Sequence, residues 1–218
     1  MGDFAGFSVQ GLDFYEDLED DNSRSFWLTH KQVYDQQVRV PMLALLATLE
    51  PEFGPGKVFR PYRDLRWSAD KTPYKTHQGA FVRRGESTGL YVQIDAAGVR
   101  TGGGCYRIHG PRLARYRDAV DDDRLGRELQ ALVEGLAVDG YEIDGDQMAT
   151  RPRGTPADHP RLQLLRHRGL YAARTYGTPA WVHTAELGDR VAADWRRFGA
   201  LVDWMVQHVP EEGADERD

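Results

Sequence analysis

One cysteine, four lysines and no extended apolar run are the scarcities of this 218-residue chain, and each excludes something. Cys105 alone leaves no partner for an internal disulfide and fits a reducing compartment, so a cytoplasmic location is expected. No stretch approaches the roughly 20 apolar residues that a membrane-spanning helix needs, so no membrane partner is expected. Residues Met1 to Gly6 lack the basic-then-apolar layout of a secretory leader, and Gly6 stands where a myristoylation signal wants Ser or Thr. No Gly-x-Ser-x-Gly occurs, which removes the serine turn of the α/β-hydrolases. Cys105 and His109 are four apart, but no second pair at metal-ligand spacing stands beside them. Neither a metal nor a cofactor is expected.

Arginine is abundant where lysine is not: 24 residues against Lys31, Lys57, Lys71 and Lys75. The cations are also concentrated. Between Lys57 and Arg84 eight basic residues face two acidic ones, a local +6 in a chain whose net charge is −6. The rest of the chain therefore carries −12. Such an acidic body repels a polyanion spread along a broad face, which disfavours nucleic acid, but it leaves room for one focused anion site. Lysine is a compact ammonium on a flexible stem, so Lys71 and Lys75 are expected where a guanidinium would not serve.

Apolar spacing organises the rest. Phe14 to Leu18 reads as a short helix, and Asp20 to Ser23 as capping residues for the next. Trp27, Tyr34, Val38, Met42, Leu45 and Leu49 then mark one stripe of a long amphipathic helix, which belongs in the core. Pro41 should kink or restart it, and Pro51 to Gly56 should end it. His77–Arg84, Gly89–Asp95 and Gly98–Tyr106 read as three strands joined too tightly to be anything but antiparallel. Two helices follow, through Leu113, Tyr116 and Val120 and then through Leu125, Leu129 and Leu136. A hairpin is expected around Asp144-Gly145, pairing Tyr141–Ile143 with Gln147–Ala149. A helical turn at Leu162–Arg166, a strand at Gly169–Tyr176 and a helix through Leu187, Val191, Trp195, Phe198, Val202 and Met205 complete the pattern. The fold expected is α+β: a single domain over residues 1–218, its mainly antiparallel sheet packed against long N-terminal and C-terminal helices. Its ordered core spans about residues 8–209, and the acidic tail 211–218 is expected to be disordered.

The densest chemistry lies in Arg60-Pro-Tyr-Arg63-Asp64-Leu-Arg66-Trp67-Ser-Ala-Asp70-Lys71-Thr-Pro-Tyr74-Lys75. This stretch resembles the signature of the domain-of-unknown-function 2461 family of bacterial conserved hypothetical proteins: Arg-x-x-Arg-Asp-x-Arg-Phe, then Asp or Asn, Lys, two spacers and Tyr. Trp67 stands in the usual Phe position. The resemblance extends to Asn22–Trp27, to Gly102-Gly103-Gly104 and to Arg151-Pro-Arg153-Gly154, and so covers most of the chain. It implies no particular activity.

Read from the residues, the stretch is an anion clamp. Guanidinium forks match carboxylate or phosphate, so Arg60, Arg63 and Arg66 are the expected ligand-binding residues, with Asp70 and Lys75 beside them. Asp64 would orient an arginine, and Lys71, Tyr74 and Asp64 are the candidates for catalysis. Gly103 could present its N–H to a phosphate, or could instead mark a place where a helix packs close. Arg151 and Arg153 would supply a second cationic wall. The expected partner is a small anionic ligand bearing phosphate or carboxylate. Two alternatives stand beside it: a basic-aromatic patch for an acidic protein or short nucleic acid, and a purely structural Arg–Asp network. No sequence feature specifies an oligomeric state.

Overall fold

The computed structural model describes residues 3–64, 66 and 70–210. Trp67 and the acidic tail 211–218 lie outside the described residues.

Helix α1 (Val9–Asp20) is longer than the apolar spacing suggested, because Ser8 caps it by accepting from the Gly11 N–H at 3.2 Å. Ser23 caps α2 (Arg24–Val33) in the same way through the Phe26 N–H at 3.1 Å. Before Pro41 the helix widens instead of breaking. Residues Tyr34–Arg39 form a π-helical segment, closed by the Val40 N–H donating to the Asp35 carbonyl five residues back. In an α-helix the Pro41 ring would crowd the carbonyl of Gln37, and a wider turn relieves that crowding. That segment packs tightly on α1: a Cβ at Gly11 would lie 2.6 Å from the Gln37 carbonyl oxygen, and Ser8 Oγ donates to Gln37 Oε1 at 2.8 Å. Helix α3 (Val40–Phe53) then carries Pro51 inside its last turn and stops at Gly54, whose φ of 82° suits glycine. All six residues of the stripe are buried.

The sheet has six antiparallel strands in the order β1-β2-β3-β4-β6-β5. These are β1 (Gly56–Val58), β2 (His77–Gly85), β3 (Thr88–Asp95), β4 (Gly98–Cys105), β5 (Glu142–Asp144) and β6 (Leu170–Gly177). Two-residue turns join β2 to β3 and β3 to β4, as tight antiparallel neighbours require. Along β3, Leu90, Val92 and Ile94 are buried while Tyr91, Gln93 and Asp95 are half-covered, the period-two pattern of a strand. The expected hairpin around Asp144-Gly145 does not form. β5 pairs with β6 (Ile143 opposite Ala172), and Gln147 bridges to His167 instead. Gly145, at φ 139°, lies where a Cβ would stand 2.0 Å from the Gly169 carbonyl oxygen. The turn signal was real, but a longer strand outcompetes three residues for β5.

The chain divides into two compact units. The first comprises Met1–Val82, Tyr91–Thr101 and Thr175–Ala193 and holds α1 to α3 with β1. Its core is aromatic: Phe14 contacts Tyr15, Trp27 and Tyr34 at ring separations of 5.2–5.9 Å. The second comprises Arg83–Leu90, Gly102–Arg174 and Asp194–Asp218, with α4 (Pro111–Asp121), α5 (Asp123–Val138), α6 (Leu162–Leu165) and much of α7 (Glu186–His208). There Tyr141 meets Phe198 edge-on at 4.8 Å, and buried Arg112 holds the Val209 carbonyl through two hydrogen bonds beyond the end of α7. Among the described residues no helix is long and apolar enough to cross a membrane.

Candidate functional site

The charged motif folds back on itself within the first unit. Tyr62 bridges to Tyr74, the Arg63 N–H donates to the Pro73 carbonyl at 3.0 Å, and the Lys75 N–H to the Pro61 carbonyl at 2.8 Å. Asn22 docks this short ladder onto the α1–α2 junction. Its amide donates to the Tyr74 carbonyl at 3.1 Å and accepts from the Tyr74 N–H at 3.0 Å, as a neighbouring strand would. The Tyr74 ring lies flat on Trp27, centroids 4.2 Å apart and planes 8° from parallel.

Past the ladder the charges pair with each other. Arg63 donates from Nε to the Tyr74 carbonyl at 2.9 Å and forms an ion pair with Asp70. Asp70 also accepts from the N–H and hydroxyl of Thr72, at 2.9 and 2.7 Å. Those Thr72 bonds, with a smaller share from Arg63, hold its carboxyl below the usual range. Arg66 donates to both oxygens of Asp64, at 2.9 and 2.6 Å. The bonds from Arg66 hold the Asp64 carboxyl far below the usual carboxylate range. Arg63 and Arg66 thus each have a carboxylate partner within the loop, and Arg60 has none within ion-pair distance among the described residues.

Beside the ladder lies a cavity of about 530 Å³. One wall is helical, with Trp27, Lys31, Tyr34, Asp35 and Arg39; the other runs from Lys57 through Tyr62, with Lys75. Five cations line it against one carboxylate, and that carboxylate, Asp35, is held by Lys31 one turn away. Among the described residues Arg39, Lys57 and Arg60 have no carboxylate within ion-pair distance. Burial first, then the charges of Arg60 and Arg63, lowers the Lys75 pKa. Its ammonium lies 5.4 Å from the centre of the Phe59 ring.

Buried Gln78 ties the two walls together. It accepts from the Tyr34 hydroxyl at 2.6 Å and donates to the Phe59 and Gly79 carbonyls at 2.8 Å each. Burial pushes the Tyr34 hydroxyl up to about 12, so it serves as a neutral donor.

A family model described as a conserved hypothetical protein, DUF2461, matches residues 10–204. The chain belongs to the DUF2461 family. No curated protein matches it. In this DUF2461 protein the sequence-chosen residues separate into three groups. Arg60 and Lys75 line the cavity. Asp64, Arg66, Arg63 and Asp70 make the ion pairs of the loop, Lys71 is exposed on it, and Tyr74 is buried against Trp27. Gly103, Arg151 and Arg153 belong to the second unit. Arg151 and Arg153 are exposed, whereas Gly103 is covered by the Phe198 side chain, where an added Cβ would stand 2.5 Å from the Phe198 Cβ. That is the geometry of close helix packing. Cys105 is buried in the same unit, 3.8 Å from Arg112. Among the described residues no three His, Cys, Asp or Glu side chains gather as metal ligands.

Lys31, Asp35, Arg39, Phe59 and Gln78 escaped the sequence reading. The lysine scarcity was a usable signal, because three of the four lysines, Lys31, Lys57 and Lys75, line this one cavity.

Proposed function

We propose that the cavity binds a small anionic ligand bearing phosphate or carboxylate. The observation that carries this reading is the trio Arg39, Lys57 and Arg60, gathered around one space with no described carboxylate in ion-pair reach. All three side chains are exposed, so solvent screens their mutual repulsion, but like charges held around one space still gain from an anion between them. Guanidinium forks from Arg39 and Arg60 suit a phosphate or carboxylate, and the ammoniums of Lys57 and Lys75 add charge. The ion-paired loop, in this reading, is scaffold: its arginines have carboxylates of their own, and its ladder positions Arg60 and Tyr62.

A thermal-shift titration with inorganic phosphate and with short carboxylic acids tests it, on the wild type and on the Arg39→Ala/Lys57→Ala/Arg60→Ala variant. At a hundred times the dissociation constant a ligand adds about 2.7 kcal/mol, which at this size raises the melting temperature by roughly 5–10 °C. That rise in the wild type and its loss in the variant are expected. A wild type that no anion shifts, or a variant that shifts equally, contradicts the proposal. Affinity that falls with salt at about one logarithmic unit per phosphate contact, and appears only with oligonucleotides, would point to an exposed polyanion surface instead.

A further inference from the structure

We infer that the anion taken by this cavity belongs to a molecule that also carries a planar aromatic ring, in the chemical class of a nucleoside monophosphate; the inference rests on the anion reading above. The cavity pairs its cations with four aromatic side chains, Trp27, Tyr34, Phe59 and Tyr62. Trp27 and Tyr34 are each 2% exposed and belong to the core, so they form a rigid floor. Tyr62 is different. It is 47% exposed although it stands 6.0 Å from Trp27 and 5.5 Å from Tyr74, centroid to centroid. Half of its surface is thus unused by the protein, on the same wall that carries Lys57 and Arg60.

Size and charge narrow the class. A space of about 530 Å³ is far larger than inorganic phosphate fills and falls in the usual range for ligands of drug size. A phosphate monoester carries close to two negative charges near neutral pH, a match for the Arg39, Lys57 and Arg60 trio. A sugar phosphate would satisfy those cations but leave the tyrosine wall idle, whereas a base stacks on an aromatic ring whatever its hydrogen-bonding edge. A nucleic-acid chain meets the charge of −12 that the residues outside Lys57–Arg84 carry, and a single nucleotide largely escapes it.

Calorimetric titration of the full chain with AMP, GMP, CMP, UMP, ribose 5-phosphate and inorganic phosphate decides the matter, repeated on Tyr62→Leu and Tyr62→Phe. We expect at least one nucleotide to bind about tenfold or more tighter than ribose 5-phosphate, a preference kept in Tyr62→Phe and reduced to about twofold or less in Tyr62→Leu. Ribose 5-phosphate binding as tightly as every nucleotide overturns the inference and leaves the anion reading standing. So does a nucleotide preference that survives Tyr62→Leu. If none of these compounds binds the wild type, the nucleotide inference falls, and of the anion reading only its carboxylate form stands.

Discussion

The ion-paired loop and the cavity beside it draw on the same residue types, yet their charges meet different fates. In the loop, Arg63 finds Asp70 and Arg66 finds Asp64. Around the cavity, Arg39 on the helical wall and Lys57 and Arg60 on the other face a common space without a described carboxylate in ion-pair distance. Density of charge in the sequence therefore does not say which cations find carboxylates. The local ratio of cations to carboxylates after folding does.

Four perturbations sharpen that contrast. The largest effect is expected at Gln78, the amide that joins both cavity walls. Gln78→Leu leaves the buried Tyr34 hydroxyl and the Phe59 carbonyl without their partner, and urea unfolding should show a loss of about 3 kcal/mol, at the upper end for orphaned buried polar groups. Asn22→Ala comes next. It removes the two hydrogen bonds between Asn22 and the Tyr74 backbone, leaving Arg63 Nε on the carbonyl, and should cost about 2 kcal/mol in the same measurement, while loosening the ladder that carries Tyr62.

Lys75 gives a smaller, pH-dependent effect. Its pKa is lowered from 10.5, so the unfolded chain holds this proton to higher pH than the folded protein does. The sign follows directly: the charged form costs stability below the folded value, and the cost fades as pH rises through that value towards 10.5. The stability of Lys75→Gln relative to wild type should therefore be most favourable near neutral pH and decline on alkaline titration. Anion binding should raise the Lys75 pKa again, so calorimetry at alkaline pH in buffers of different ionisation enthalpy should report proton uptake. The smallest effect belongs to Asp64→Asn. Its pair with Arg66 is exposed and screened by solvent, so the melting temperature should hardly move, despite the two short bonds. A large drop there would make the loop a stability element and blur the comparison.

Much of the architecture was legible because apolar spacing survives folding. The 27–49 stripe, the alternation at 90–95 and the 187–205 spacing each reappear as a buried face. The glycine triplet was legible as a place of close approach, though only the fold says that Phe198 covers Gly103. The site was harder, for two physical reasons. Opposite charges a few residues apart pair locally, so two of the three arginines of the charged motif, Arg63 and Arg66, go to Asp70 and Asp64. The π-helical segment, meanwhile, sits between ordinary helices, and nothing but Pro41 hints at it. That segment carries Tyr34, Asp35 and Arg39, and the cavity wall built from it stayed hidden.

The most direct test of the central contrast is to locate a bound oxyanion. A crystal soaked in tungstate, a heavy analogue of phosphate, gives an anomalous signal that needs no assumption about the natural ligand. The account predicts a peak in the cavity, ringed by Arg39, Lys57 and Arg60. A peak at Arg63 or Arg66, with none in the cavity, would contradict it and return the anion site to the loop.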